Sequence, residues 1–535
     1  MSSISDVVVI GSGINGLVVT AELALAGRSV TLIEANPEIG GFIESGERTA
    51  PGFIHDTFSS WHPLFVSGAA YGALGDELHA RGLVYDNTDG PVTAGAGPDG
   101  RVAVAHRDID ATLAGFEHPE DKDAYLGMLG DLEARAGTIF GALGTELDPS
   151  SMARLAVRTL GSQRAAGTEA LVRDGLSSGR SYLDSRFDGW ETDRLWSPWL
   201  LHAGLGPDSA TGGVMLPVMA GTMHQFGLPV VRGGAKKFID AFTALFDDHG
   251  VAVVRGTPVT EIVMRDGVAA GVRTADDEWL ARDAVVAGVT PQALYNELLP
   301  RDMVPPKVFE QARGYRYGRA AMQIHLALDR PVAWSDERLR DVPLIHVTEG
   351  ASTIGIACAQ AQAGVLPDQP TIVVGAQSLL DPSRAPDGAA TLWIQLQELP
   401  FAPVADAAGE ISTTGTWTSA VAEAYADRVL ERIAALAPDL TSTIVARNII
   451  SPTDLAGHNV NAVNGDPYCG SAELDQNLRW RPITSQGRHR TGIDHLWHIG
   501  ASTHPGPGLG GGSGHLVAQQ LLAPRSRNPI ARFFS

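Results

Sequence analysis

Three groups of residues in this chain have types and spacings that could do chemistry. The first is Gly11-Ser12-Gly13-Ile14-Asn15-Gly16, with Glu34 downstream. In such a run the first glycine allows a tight turn, the second lets the backbone approach a pyrophosphate, and the third lets a helix pack close to a strand. Free N–H groups and a positive dipole end at the helix start suit phosphate oxygens. Glu34 suits the hydroxyls of an adenosine ribose and disfavours a 2′-phosphate, so NADP is not expected here. The second group is His55-Asp56, with Trp61 and His62 close behind. The third is the run from Gly500 and Ala501 through His504-Pro505 to Gly508-Leu509-Gly510. A histidine in such a loop can work as an acid–base, hydrogen-bond a bound ring, or cap the loop before proline.

The elements needed to position the first group are all present. Val7-Val8-Val9-Ile10 reads as a buried parallel strand, residues 17–26 as a helix stopped by Gly27, and residues 29–33 as a second strand ending in Glu34. This context separates the motif from a decoy. Gly95-Ala96-Gly97-Pro98-Asp99-Gly100 has the same glycine spacing, but an alternating run follows it where a helix would be needed. The decoy therefore reads as a hairpin. Past Glu34 come Ala35 and then Gly40-Gly41-Phe42. A glycine pair just after a ribose acid suits a chain that passes close to the pyrophosphate and ribityl of FAD.

Pro51-Gly52-Phe53-Ile54-His55-Asp56 resembles a stretch of the phytoene desaturase family, within the wider amine-oxidase-like flavoproteins. Gly233-Gly234-Ala235-Lys236-Lys237-Phe238, then Val259 and the strand that ends at Gly288, resembles that family's second flavin segment. The run from Gly500 to Gly514 resembles its closing loop. The resemblance implies FAD as cofactor, the Val259 backbone near the adenine, and a loop at Gly500, Ala501, Pro505, Gly508, Leu509 and Gly510 around the ribityl and isoalloxazine. It also implies a final helix whose N-terminus favours the reduced, anionic flavin. His504, His55 and Asp56 become the candidate acid–base residues, with a buried structural hydrogen bond as the alternative for Asp56. One departure stands out. Relatives carry Arg after the glycine pair where this chain has Phe42, so a phosphate contact falls to another residue such as Arg48 or Arg232.

The expected fold is α/β: a discontinuous Rossmann-type FAD-binding domain, with a second α+β substrate domain carrying a mixed or antiparallel sheet. The segments 1–65, 225–300 and 490–535 form the first; 66–224 and 301–489, with a helical insertion, form the second. Residues 321–328 and 391–397 alternate in polarity and read as strands packed on one face, and 418–436 reads as an amphipathic helix.

Composition sets limits. A net charge of -21 argues against nucleic acid and against electrostatic docking to anionic lipid, and leaves an apolar peripheral membrane contact open. Cys358 and Cys469 form no dithiol motif, which counts against a disulfide reductase and suits a reducing, cytoplasmic setting. The start of the chain enters a strand directly, so no secretory leader is expected. No metal site is expected, because His495 and His498 lack a third ligand at a sensible spacing.

The activity implied is hydride transfer from an apolar, isoprenoid or polyene substrate to flavin N5, with oxygen, a quinone or another electron acceptor completing the cycle. Met215, Met219, Met223, Phe226, Trp196 and Trp199 are the candidates for an apolar tunnel wall, against core, the commoner fate of Met and Trp. A saturase or a redox-neutral isomerase on the same scaffold is one alternative. A flavin-bound interaction protein without turnover is another. Substrate identity and oligomeric state are not written in these motifs.

Overall fold

The computed structural model describes residues 3–524. Residues 525–535, assigned by sequence to the third cofactor segment, lie outside the described residues. Two seven-stranded sheets carry the fold. In the first, Ser3–Ile10 runs parallel between Val30–Ile33 and Glu278–Ala287. Ala252–Val254 and Leu496–His498 extend the parallel array on either side. Glu261–Arg265 and Val268–Arg273 add an antiparallel meander to the start of Glu278–Ala287. Strands covered on both faces need continuous apolar runs, and Val7, Val8, Val9 and Ile10 are accordingly buried. Three stretches of chain far apart in sequence thus meet in one sheet.

One face of this sheet is covered by helices Ile14–Leu25, Lys236–Asp248 and Gly512–Leu522. The middle one shows why it packs there. Phe238, Ile239, Phe242, Leu245 and Phe246 recur at helical spacing and face the core, while Lys236, Lys237 and Asp240 pair outside.

The second sheet runs in the order Ile444–Ile450, Ala320–Leu328, Ala390–Leu399, Ile372–Gly375, Leu344–Val347, Pro91–Ala96, Val102–His106. It is antiparallel except where Leu344–Val347 meets Pro91–Ala96. The last two strands are the hairpin expected from the decoy glycines. One expectation fails: Ala320–Leu328 is buried along its whole length, not on one face. The reason lies in what each face meets. Met322, Ile324, Leu326 and Leu328 join the core cluster that includes Val421, Tyr425 and Val429 of helix Ser419–Ala434. On the alternate side, His325 Nε2–H donates to the Asp56 carbonyl at 3.0 Å, and Trp393 Nε1–H donates to the Phe58 carbonyl at 3.0 Å. That face is the floor between the two sheets.

The helical insertion consists of Pro119–Leu143 and Pro149–Leu176. Trp196, Trp199, Met219 and Met223 pack into one buried cluster beside it, so their first role is core. Phe226 lines a surface cleft of ≈ 460 Å³ with Tyr71, Tyr85 and Arg107. Among the described residues, no helix is long and apolar enough to cross a membrane.

Candidate functional site

The loop after the first strand has the geometry its glycines predict. Gly11 has φ +87°, a left-handed value that favours glycine. A Cβ on Gly16 would collide with the Gly11 carbonyl oxygen. Gly13 differs from both: it is exposed, and a Cβ there would meet nothing within 4 Å. Helix Ile14–Leu25 starts at this open point with no side-chain cap and no acidic residue in its first turn. Its first N–H groups have no side-chain cap and are left for a partner from outside the helix, which suits a phosphate.

The other sequence-predicted contacts gather around this opening. A Cβ on Gly41 would lie 3.1 Å from the Gly13 Cα. Gly288 N–H donates to the Ile10 carbonyl at 2.8 Å. Asn15 Oδ1 accepts from Gly514 N–H at 3.0 Å, and Ser513 Oγ accepts from Gly500 N–H at 3.2 Å. The start of the last helix is thus fixed on the start of the first. Pro505 lies against Gly512, Gly508 and Gly510 lie against Leu64, and Leu509 packs half-buried on the helical cluster. Glu34 is buried: Oε2 accepts from Ser12 N–H at 2.8 Å and Ser12 Oγ–H at 2.6 Å, and Oε1 accepts from Asn36 N–H at 2.9 Å. A carboxylate has about four acceptor sites, so it keeps room for a ribose hydroxyl. Ala35 is half-buried beside it, and Thr257 N–H, two residues before Val259, donates to the Glu34 carbonyl at 2.9 Å. An uncapped helix start, convergent glycines and a ribose acid at one opening fit the ADP half of FAD.

Phe42 does not face a phosphate as a cation would. Its ring meets Phe58 edge-on at 5.1 Å and stacks on His458 at 6.2 Å. Neither alternative arginine is free: Arg48 donates to Glu44 at 2.7 Å and Thr57 at 2.6 Å, and Arg232 is held by Asp86 at 2.9 Å.

The three candidate acid–base residues each hold protein partners, while Nδ1 of His55 and Nδ1 of His504 stay buried without one among the described residues. Asp56 Oδ1 accepts from Ala235 N–H at 2.7 Å, while Oδ2 accepts from Arg384 Nη1 at 2.8 Å and from the Ser60 hydroxyl. His55 is buried, with Nε2 bonded to the Thr49 hydroxyl at 2.8 Å and its ring 5.2 Å from that of His325. His504 is buried, and its Nε2–H donates to the Ala142 carbonyl at 3.0 Å, at the end of the first insertion helix. His489 then ties the loop down. Its Nε2–H donates to the His504 carbonyl at 2.7 Å, and its Nδ1 meets Glu146 Oε2 at 2.6 Å, so both ring nitrogens face acceptors. His504 is placed as a strut between the closing loop and the insertion.

Burial keeps several of these rings neutral. It pushes His55 down to about 3, with nearby His325 adding to the shift, and it pushes His62, His202, His325, His498 and His504 down to about 4. In the unfolded chain each would take up a proton near its ordinary 6.5. Between those limits the unfolded state binds more protons, so stability falls as the pH falls. The urea midpoint is expected to drop steadily from pH 6.5 towards 4. A level midpoint through that window would mean that the rings carry charge in the folded chain.

Several site residues are absent from the sequence reading. Arg384 and Asp381 complete the node at Asp56. Arg481 is fully buried and donates to the Ala501 carbonyl at 2.7 Å and the Ser471 carbonyl at 3.0 Å, behind the closing loop. Residues 458–461 reach from the second sheet to Gly41 and Gly288. Arg384 meets Asp56, and residues 458–461 meet Gly41 and Gly288, across long stretches of chain, and no periodicity marks them.

Comparison with known proteins places this geometry. The family model for flavin containing amine oxidoreductase matches residues 14–506. The chain is 26% identical to mouse pyridine nucleotide-disulfide oxidoreductase domain-containing protein 2, covering 97% of this chain and 93% of that one. It is 23% identical to one of the subunits of the limonene dehydrogenase of Castellaniella defragrans, over 98% of this chain and 95% of the other. Among solved structures, putrescine oxidase bound to putrescine matches with a TM-score of 0.61 at 16% identity, covering 98% of this chain and 100% of that one.

Proposed function

Because this chain belongs to the flavin-containing amine oxidoreductase family, with FAD as its cofactor, we propose that it is a dehydrogenase or desaturase acting on C–H bonds of an apolar, isoprenoid or polyene substrate. The observation that carries this reading is the end-to-end likeness to the Castellaniella limonene dehydrogenase, whose name gives it an apolar terpene substrate. The likeness to putrescine oxidase extends to the fold alone. FAD, when bound, supplies the acceptor for a hydride; the protein supplies binding, orientation and a dry setting.

Local chemistry supports an uncharged substrate. An amine would need a carboxylate free to meet its ammonium. Four buried carboxylates, at positions 56, 381, 398 and 466, are committed to protein partners. Asp56 and Asp381 hold Arg384. Glu398 accepts from Thr371 N–H at 2.8 Å and Thr371 Oγ1–H at 3.0 Å. Asp466 accepts from the N–H groups of Gly318, Tyr468 and Gly470 at 2.7 to 2.8 Å. The indoles of Trp61 and Trp393 meet across Gly375 on the same floor and offer aromatic surface.

We assign segments 1–65, 225–300 and 490–535 to the cofactor domain and the rest to the substrate domain. Gly11, Gly13, Gly41, Gly288 and Gly500 give the dinucleotide close backbone approach, Glu34 its ribose acceptor, and Ser12 and Asn15 hold the loops in place. Asp56 and His504 act as positioning residues. His489 fixes the loop that carries His504, and none of the three moves a substrate proton.

The test is anaerobic titration of the purified yellow protein with terpenes and polyenes, alcohols and amines. Bleaching of the flavin absorption by a terpene or polyene alone is the expected result. Bleaching by an amine alone would overturn the substrate class. Bleaching by NADH or NADPH, with none by any organic substrate, would reverse the direction of the reaction.

A further inference from the structure

We propose that Asn459, carried by a loop from the second sheet, donates a hydrogen bond to the pyrophosphate of the dinucleotide, so that the cofactor is held from both sheets. This rests on the reading that the pyrophosphate lies over Gly13.

The loop is built to reach that point. Edge strand Ile444–Ile450 leads into the short helix Pro452–His458, started by a reciprocal cap between Ser451 and Asp454. Beyond it, residues 458–461 cross the opening and are pinned on both sides. Asn36 Nδ2–H donates to the His458 carbonyl at 2.8 Å, and His458 Nε2–H donates to the Gly41 carbonyl at 3.1 Å. On the far side, Asn461 Nδ2–H donates to the Gly288 carbonyl at 3.0 Å and its Oδ1 accepts from Thr290 N–H at 3.1 Å. Asn459 stands between the pins. Its Oδ1 accepts from Asn461 N–H at 3.0 Å, which turns the amide nitrogen outward. Among the described residues, that nitrogen has no acceptor.

Its position gives it a task. The point where a Cβ of Gly41 would stand lies 3.1 Å from Gly13 Cα, 3.7 Å from Gly13 N and 3.9 Å from Asn459 Nδ2. The amide nitrogen therefore stands at the edge of the contact between Gly41 and Gly13, where a pyrophosphate over Gly13 would come within its reach. Among the described residues, the nearby candidates for a cation are each paired or absent: position 42 is Phe, Arg48 meets Glu44 and Thr57, Arg232 meets Asp86, and Arg255 lies 3.6 Å from Glu38. A pyrophosphate in this opening is then met by neutral donors from the helix start, the glycine backbone and Asn459. A neutral amide is sufficient there because a hydrogen bond to a charged acceptor is stronger than one between neutral groups.

The experiment uses the full-length apoprotein, titrated with FAD, ADP and adenosine, as wild type and as Asn459→Asp and Asn459→Ala. Asn459→Asp places a carboxylate against the phosphates. It is expected to weaken FAD and ADP about 100-fold and to leave adenosine unchanged; Asn459→Ala should weaken FAD and ADP about 10-fold. The urea midpoint of the apoprotein should hold in Asn459→Asp, which keeps an oxygen to accept from Asn461 N–H, and should fall in Asn459→Ala, which loses that acceptor. Wild-type affinity for ADP in Asn459→Asp would overturn the assignment. An equal loss for adenosine would do the same, by making the loop structural. Failure of the wild type to discriminate ADP from adenosine would instead remove the reading on which the assignment rests.

Discussion

Gly13→Ala is expected to weaken FAD binding while leaving the apoprotein intact. At Gly13, φ is −59° and ψ is 169°, values that alanine adopts without strain. The new methyl meets no protein atom within 4 Å. Removing glycine's freedom from the unfolded chain would even stabilise the apoprotein by about 0.4–1 kcal/mol. The methyl does, however, occupy the space that the dinucleotide needs. Overpacking a tight contact costs about 1–3 kcal/mol, or about 5- to 150-fold in affinity. Gly16→Ala provides the contrast. Its methyl collides with the Gly11 carbonyl in the protein itself, so both the apoprotein and the holoprotein should suffer. The measurement is FAD affinity by fluorescence quenching, beside the urea midpoint of each apoprotein. If Gly13→Ala binds FAD as the wild type does, the pyrophosphate lies elsewhere.

That contrast shows what the sequence could and could not disclose. The glycine motif with its strand, helix and acid is a local pattern, and local patterns survive folding. The first strand, the first helix, Glu34 and the helix from Lys236 all stand where the periodicity and punctuation put them. The alternating strands at 320–328 and 390–399 were legible too, but not their double burial. Alternation shows which residues share a face. It does not show that the polar-looking face, with His325 and Trp393, would close on the backbone at Asp56 and Phe58. The same limit hid Arg384 and Asn459. A single arginine or asparagine becomes informative only when its partner is known, and the partners lie hundreds of residues away. His504 shows the same limit from the other side. Its loop was legible and its ring was not, because the direction of a side chain depends on the Ala142 carbonyl, which another element supplies.

The largest loss of stability is expected from Asp56→Ala. Asp56 is fully buried and takes donors from three separate parts of the chain: Ala235 N–H, the Ser60 hydroxyl and Arg384. Arg384 is 1% exposed, also donates to Asp381 at 3.1 Å and to the Val231 carbonyl at 2.6 Å, and thereby ties the turn before Ala390–Leu399 to the segments at Asp56 and Val231. Removing one partner from a buried ion pair leaves the other charge in a medium that solvates it poorly, at a cost of about 3–5 kcal/mol. Asp381 keeps Arg384 partly compensated, so the loss should fall at the lower end of that range. Asp56→Asn preserves the acceptor for Ala235 N–H and should lose less. Arg384→Met strands two carboxylates and should lose as much as Asp56→Ala. In the double variant Asp56→Ala with Arg384→Met, part of the damage should be recovered, because neither charge is left alone; the cycle should report a coupling of about 1–3 kcal/mol. The urea midpoint of each FAD-loaded variant measures this. Turnover of the fraction that remains folded separates the two roles that Asp56 could hold. A group that only joins the sheets leaves that turnover near the wild-type value. A fall of several orders of magnitude in turnover, with the midpoint unmoved, would make Asp56 a proton carrier for the substrate and remove it from the structural node.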